Sequence, residues 1–389
     1  MKIVLAPNAF KEALSAREVC SAMEKGIRAA GYKGEIRAVP LADGGDGTID
    51  ALVAATGGGI RFVTAADPLG RPVAATFGLL GGGKTAVVEM AQASGLWRLT
   101  REERNPLRTS TKGTGELIRA AIEAGATTII VGIGGSATVD GGVGMAEALG
   151  FRFLDSASNP VEANGGNLLK MNKIDQSCIC SEIHRVGIRV ACDVSSPLLG
   201  PQGAAKVFGP QKGATPEMVE LLEKGLENLA HLWERDLGRS VANLPGAGAA
   251  GGLGAGLVAF CGAELVPGFD LVAEAAGLDG AMEGADLVFT GEGRVDQSTA
   301  YGKVPAGLAR RAQAKKIPVV CLAGEVVGDM SELHKAGATA ILSIVSGPTD
   351  RQTSIRETAK LLANTTEQVM RLWRGPKQIK ECSNRSESS

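Results

Sequence analysis

Lys2-Ile3-Val4-Leu5-Ala6-Pro7 leads, after a short loop, into Ser15-Ala16-Arg17-Glu18 and a periodic stretch that closes near Ala30-Gly31. Beyond its lysine the first run is wholly apolar, the pattern of a strand buried on both faces of a parallel sheet. Ser15 with Glu18 three residues on reads as a capping box, and Gly31 suits a helix end, so the opening is a strand feeding a helix from about Ser15 to Ala30. The unit repeats when a strand over Glu35 to Pro40 enters the loop Asp43-Gly44-Gly45-Asp46-Gly47-Thr48 and then a helix to about Ala55. The same grammar returns late. Asp286 to Thr290 reads as a strand feeding Gly291-Glu292-Gly293, Pro305 to Ala314 as a helix, and Ile317 to Leu322 and Ala338 to Val345 as two further strands. Two strands from the start and three from the end suffice for a flavodoxin-like, doubly wound parallel sheet.

The intervening chain follows other rules. Phe62 to Thr64, Val73 to Leu80 and Thr85 to Met90 read as strands meandering around turns at Asp67-Pro68-Leu69-Gly70 and Gly81-Gly82-Gly83. Thr127 to Ile133 and Ile188 to Asp193 add two strands, and Thr215 to Arg235 has helical periodicity. The expected fold class is therefore α/β: a discontinuous flavodoxin-like domain from residues 1–60 and 285–374, with a second α/β domain, 61–284, inserted. The charged, serine-rich stretch 375–389 has no apolar face and reads as a disordered tail.

Composition removes several function classes. Lysine plus arginine number 41 against 42 acidic residues, a net charge of -1, so no global basic field exists to hold nucleic acid. No apolar run is long enough to span a bilayer and no charged-then-apolar leader opens the chain, so a soluble cytoplasmic protein without a membrane partner is expected. Seven scattered cysteines, Cys20, Cys178, Cys180, Cys192, Cys261, Cys321 and Cys382, read as reduced core thiols. None of the three histidines, His184, His231 and His334, is spaced with a cysteine as zinc ligands are. Glycine is the outlier at 54 residues, about twice average usage, and it clusters in loops.

Gly78 to Thr85 satisfies the P-loop spacing, ending in Gly83-Lys84-Thr85. A phosphate-binding P-loop must open a helix, whereas Thr85-Ala86-Val87-Val88-Glu89 favours a strand, so the match reads as a hairpin turn. The better phosphate context is Gly132-Ile133-Gly134-Gly135-Ser136-Ala137-Thr138-Val139-Asp140-Gly141-Gly142, which follows one strand and precedes a helix at Val143 to Leu149. Its small residues expose N–H donors, and Asp140 suits a magnesium ion or a substrate hydroxyl. The loop Asp43 to Thr48 brings Gly44 and Gly45 between two carboxylates, with a turn capped by Asp46 as the plain alternative. Lys11, Asp43, Asp193, Glu292 and Asp296 all lie near strand carboxyl ends, where α/β sheets bind ligands. Lys212 and Lys303 are candidate phosphate clamps, although each taken alone reads more readily as a solvated lysine. Pro245 to Gly256 reads as a loop followed by a helix, with a hinge or a nucleotide wall as further readings.

Taken in order, APNAFKEALSA (6–16), ADGGDGT (42–48), GTGELI (113–118), GIGGSATVDGG (132–142), VACDV (190–194), FGPQKGA (208–214), PGAGAAGG (245–252) and TGEGRVDQST (290–299) resemble the class I glycerate kinases. The resemblance covers nearly the whole chain to about Val345. It implies ATP-dependent phosphorylation of D-glycerate, most members being glycerate 2-kinases, in a cleft between two domains. Asn8-Ala9 stands where the family usually carries Asp-Ser, and Asp46 where Glu is usual. On this reading ATP and Mg2+ are the cofactors, and Gly134, Gly135 and Ser136 contact phosphate. Lys11 pairs with a phosphate or the glycerate carboxylate, while Asp43, Asp193 and Asp296 divide metal binding and hydroxyl activation, with Asp193 and Asp296 the metal ligands. The resemblance leaves the 3-phosphate open as product, and a homo-oligomer is compatible with it. A nicotinamide oxidoreductase lacks its glycine fingerprint after the first strand, and a flavodoxin-like small-molecule sensor is the remaining competitor.

Overall fold

The computed structural model describes residues 1–179, 181–300 and 302–386, leaving Cys180 and the side chains of His184 and Cys382 outside the description. The chain divides into two compact units, Met1–Asp43 with Val272–Ser389, and Gly44–Leu271. The first carries a five-stranded, all-parallel sheet in the order Ala338–Ser343, Val319–Val326, Leu287–Val295, Lys2–Leu5, Glu35–Ala38. Counted within the unit this is the 2-1-3-4-5 order of flavodoxin-like sheets, as the apolar opening run implies. Alternation decides what each face meets. Ile3, Leu5, Leu287, Phe289 and Leu322 are buried against helices Ala16–Ala29 and Arg351–Ser386, while Val295, Cys321 and Ala323 pack with Ala306, Ala309 and Leu333 on the other face. The sheet is thus wound on both sides.

Helix Ala16–Ala29 begins as its sequence requires: the Ser15 side chain accepts the Glu18 N–H while Glu18 accepts the Ser15 N–H. Its partner, Arg351–Ser386, buries Leu362, Thr366 and Met370 at a spacing of four, a single stripe turned to the core. A Cβ on Gly26 would lie 2.2 Å from the Ala363 carbonyl oxygen, so the two helices meet backbone to backbone. The long helix also corrects the expected tail. It runs through Gly375 to Ser386, because Lys377-Gln378-Ile379-Lys380-Glu381 favours helix continuation once the preceding turns are docked.

The second unit holds a six-stranded sheet ordered Glu264–Val266, Gly187–Ala191, Thr128–Gly132, Thr85–Glu89, Pro72–Leu79, Gly59–Ala66. The first four strands are parallel and the last two antiparallel. Gly78 to Thr85 spans the antiparallel connection, with Leu80 N–H donating to Thr85 O, so the P-loop spacing is a hairpin here. Below the sheet Trp233, Phe151 and Phe153 meet Phe260 edge to face at 4.9–5.9 Å, each ring adding area burial and a quadrupole contact.

The compact units divide at Gly44 and Leu271 instead of the expected 61 and 284. Helix Thr48–Thr56 lays Ile49 and Val53 over Gly78 of the second sheet, which assigns it there. The strand expected to end at Thr290 continues to Val295, because Gly291, Glu292 and Arg294 keep pairing with Leu322, Ala323 and Glu325. Of the cysteines, Cys20 and Cys321 are buried, Cys192 and Cys261 half-buried, and Cys178 exposed, so the core-thiol reading fails at Cys178. No helix among the described residues is long and apolar enough to cross a membrane.

Candidate active site

In the second unit the parallel strands end in one row, with Glu89, Gly132, Ala191 and Val266 in register. Three expected ligand loops gather over that row. A Cβ on Gly132 would stand 2.4 Å from Gly44 O, one on Gly134 3.3 Å from Gly45 Cα, and one on Gly44 2.3 Å from Ala191 Cβ. Side chains at these positions would force the loops apart. Gly135, at φ +70°, turns the chain beside Asp46 Oδ1.

The turn around Gly135 is held from the side by the segment Ser94 to Leu96. Leu96 N–H donates to Gly135 O at 2.8 Å and Ala137 N–H to Ser94 O at 3.0 Å. Thr109 Oγ1 donates to Ala137 O at 3.0 Å. Lys212 Nζ, fully enclosed, donates to Ser136 Oγ and to Thr138 O, both at 2.7 Å. These bonds leave out the N–H groups of Gly134, Gly135 and Ser136, and both glycines are exposed. Consecutive N–H groups not taken up by the fold, in small residues past a strand's carboxyl end, are the makings of an anion-binding concavity.

Asp140 is placed otherwise than a ligand would be. It is fully buried and accepts from Thr111 N–H and Oγ1 at 2.8 Å, Gly142 N–H at 3.1 Å and Gly144 N–H at 3.3 Å. Burial pushes its carboxyl up, against the downward pull of the Thr111, Gly142 and Gly144 donors. Its work is to fix the loop to helices Lys112–Glu123 and Val143–Ala148. Lys212 likewise lies beneath the turn instead of in solvent, and burial, opposed by the Asp140 charge, brings its ammonium down to about 7. Asp193 is exposed beyond strand Gly187–Ala191, its Oδ1 accepting Gly268 N–H at 2.7 Å. Asp46 is exposed and does not cap the following helix, which has no side-chain cap.

Beside this row lies a pocket of about 310 Å³ lined by Asp46, Asp50, Thr76, Glu89, Gln92 and Trp97 among others. Glu89 was not expected as a site residue. It ends an apolar strand, with Oε1 accepting Ile49 N–H at 2.8 Å. Burial, aided by the charges of Asp46 and Asp50, pushes it up to about 7 against the pull of Ile49 N–H and Gln92. The one signal in the sequence is an acid closing the apolar run Ala86-Val87-Val88.

The first unit brings together its own candidates. Glu292 is buried, accepts the Thr299 hydroxyl at 2.7 Å and is pushed up by burial and by the charges of Asp43 and Asp296, with Lys303 opposing. The Phe10-Lys11 backbone passes over Gly293, whose Cβ would stand 3.4 Å from Lys11 N. Asp296 accepts the Ser298 hydroxyl at 2.5 Å and its N–H at 2.9 Å and pairs with Arg294 at 3.5 Å; the Ser298 bonds first, then the Lys303 and Arg294 charges, hold its carboxyl below the usual range. Asn8, buried, accepts Ala9 N–H at 2.8 Å.

No group of three or more His, Cys, Asp or Glu among the described residues is arranged to cage a metal by itself. Magnesium, however, takes one or two carboxylates and completes its shell with water and phosphate oxygens. Asp43 and Asp296, whose charges both act on Glu292, are two carboxylates of the kind that requirement calls for, while burial first of all disfavours the Glu292 anion.

The sequence profile of the Glycerate kinase family matches residues 3–374. Glycerate kinase of Bacillus subtilis (strain 168) is 45% identical over 369 residues, 95% of this chain and 97% of that protein. Glycerate 2-kinase of Escherichia coli (strain K12) is 47% identical over 346 residues, covering 89% and 91%. A crystal structure from Salmonella typhimurium LT2, provisionally described as glycerate kinase 2, superposes with a TM-score of 0.90 at 44% identity over 97% of this chain and 99% of that one. Loop geometry, motif order and whole-length similarity agree: the chain belongs to the glycerate kinase family.

Proposed function

We propose that this protein transfers the γ-phosphoryl group of ATP to D-glycerate and releases 2-phosphoglycerate. The observation that carries the reading is the Gly134-Gly135-Ser136 turn at the carboxyl edge of a parallel sheet: its two glycines are exposed, and among the described residues none of its three N–H groups is taken by the hydrogen bonds that hold the loop. Membership of the family, and the name of the Escherichia coli relative, support glycerate as acceptor and the 2-hydroxyl as the position attacked.

Phosphoryl transfer asks a protein for positioning and charge more than for covalent chemistry. Gly134, Gly135 and Ser136 bind phosphate through main-chain donors, and Gly44, Gly45 and Asp46 border them. Asp193, exposed beyond its strand, orients or deprotonates the attacking hydroxyl. Asp43 and Asp296 would hold Mg2+, which supplies neutralisation of phosphate charge when bound. Lys11 and Lys303 supply fixed positive charge to a phosphate or the glycerate carboxylate.

The test is a coupled assay of the purified protein with ATP, Mg2+ and D-glycerate. ADP release together with direct consumption of the product by enolase is the expected result. A requirement for phosphoglycerate mutase would assign the 3-hydroxyl instead. Binding of glycerate without ADP release would turn the reading to a sensor.

A further inference from the structure

Lys212 has no route to solvent: its side chain is enclosed, and no other lysine or arginine among the described residues is so buried. Enclosing an ammonium group is expensive, and an apolar side chain of similar length would serve stability as well or better. Its placement nevertheless leaves little slack. Lys212 ends the short 3-10 turn Pro210–Lys212, and the chain reverses at Gly213 with φ +91°, where a Cβ would stand 2.3 Å from Arg104 O. Phe208-Gly209-Pro210-Gln211-Lys212-Gly213 thus spends a proline and two glycines on delivering one cation.

Its two hydrogen bonds go to Ser136 Oγ and Thr138 O, whereas the Ser94 to Leu96 segment bonds Gly135 O and Ala137 N–H of the same turn. The turn is therefore held by two separate segments of chain, and Lys212 bonds the residues that directly follow its two exposed glycines. Asp140, whose charge acts on Lys212, is itself tied to Thr111, Gly142 and Gly144, so it anchors the base of the same loop. A strap of this kind acts on a phosphate through the loop.

We propose that Lys212 is a positioning residue for nucleotide phosphate: it holds Ser136 and Thr138 so that the Gly134, Gly135 and Ser136 N–H groups converge. This rests on the kinase reading above.

The experiment compares wild type with Lys212→Met, which keeps the volume and removes the charge and both bonds, and with Ser136→Ala, which removes one acceptor. For Lys212→Met the KM for ATP should rise about tenfold or more, with the KM for glycerate within about twofold of wild type and the melting temperature unchanged or higher. Ser136→Ala should show a smaller rise of the same kind. Wild-type kinetics in Lys212→Met would overturn the proposal, as would parallel loss of both affinities with a lowered melting temperature, which marks a structural role. A second readout separates this from the kinase reading. Inorganic pyrophosphate should raise the melting temperature of wild type and Ser136→Ala but not that of Lys212→Met, whether or not ADP is released with glycerate. Equal protection of all three proteins would sink the strap, whereas protection confined as stated without turnover would sink only the acceptor assignment. If Lys212→Met does not fold, Ser136→Ala alone decides: an unchanged KM for ATP there would overturn the proposal.

Discussion

Two aspartates at strand ends have opposite fates in this fold. Asp140 accepts four donors in a sealed loop, whereas Asp193 stands exposed with one oxygen on Gly268 N–H. Asp140→Ala should therefore destabilise the protein by about 3–5 kcal/mol, since it strands buried donors. Asp193→Asn should keep the melting temperature within a degree or two while lowering kcat by roughly a hundredfold or more. Turnover and thermal melts on the same preparations check both, and near-normal turnover in Asp193→Asn removes it from the site. Glu89 adds a pH dependence. Its proton is held to about 7 in the folded protein against a reference of 4.5, so between these values the native state binds more protons than the unfolded chain. Stability from this group therefore falls as pH rises through that window, by about 3 kcal/mol once it is complete. Glu89→Gln, which stays neutral, should melt above wild type at pH 8 and level with it near pH 4.5. An equal difference at both pH values would contradict the assignment.

Elements written by local rules were legible in the sequence. Ser15 and Glu18 announce the cap of the first helix, and the apolar run at Ile3 to Ala6 announces a parallel, doubly covered strand. Pattern without context misled only on paper: Gly78 to Thr85 has P-loop spacing, and its β-branched continuation makes it a hairpin. What was not legible depends on neighbours far away in the chain. Thr290 looks like a strand end, yet Val319–Val326 keeps pairing to Val295. Lys212 looks like a surface lysine, and only the Ser136 loop 76 residues away encloses it. Glu89 shows in the sequence only as an acid closing an apolar run, because its perturbation comes first from burial under distant chain and then from the charges of Asp46 and Asp50. Helix Arg351–Ser386 outran the expected tail, yet its described buried contacts end near Met370. A chain ending after Gly375 should retain kcat and melt within about 2 °C of full length. Gly26→Leu, by contrast, should lower the melting temperature by roughly 5 °C or more, since backbone meets backbone there.

For the molecule as a whole, the second unit is the continuous one. Gly44 and Gly268, close to its two ends, lie within 3.6 Å of a shared Cβ position and its core is closed on itself, so residues 44–271 made alone should unfold in one cooperative urea transition. A broad, non-cooperative loss of far-UV signal would count against it. The first unit has the reverse arrangement, with Thr290 bonded to Ala6 across 284 positions of chain. During synthesis at roughly 5–20 residues per second, Ile3 would wait about a quarter of a minute to a minute for Leu287 to leave the ribosome. The inserted unit can fold in that interval while the apolar opening strand stands without its central neighbour. The strand over Lys2–Leu5 is then secured late although it is made early, so its apolar face stays open to other partners while the inserted unit folds.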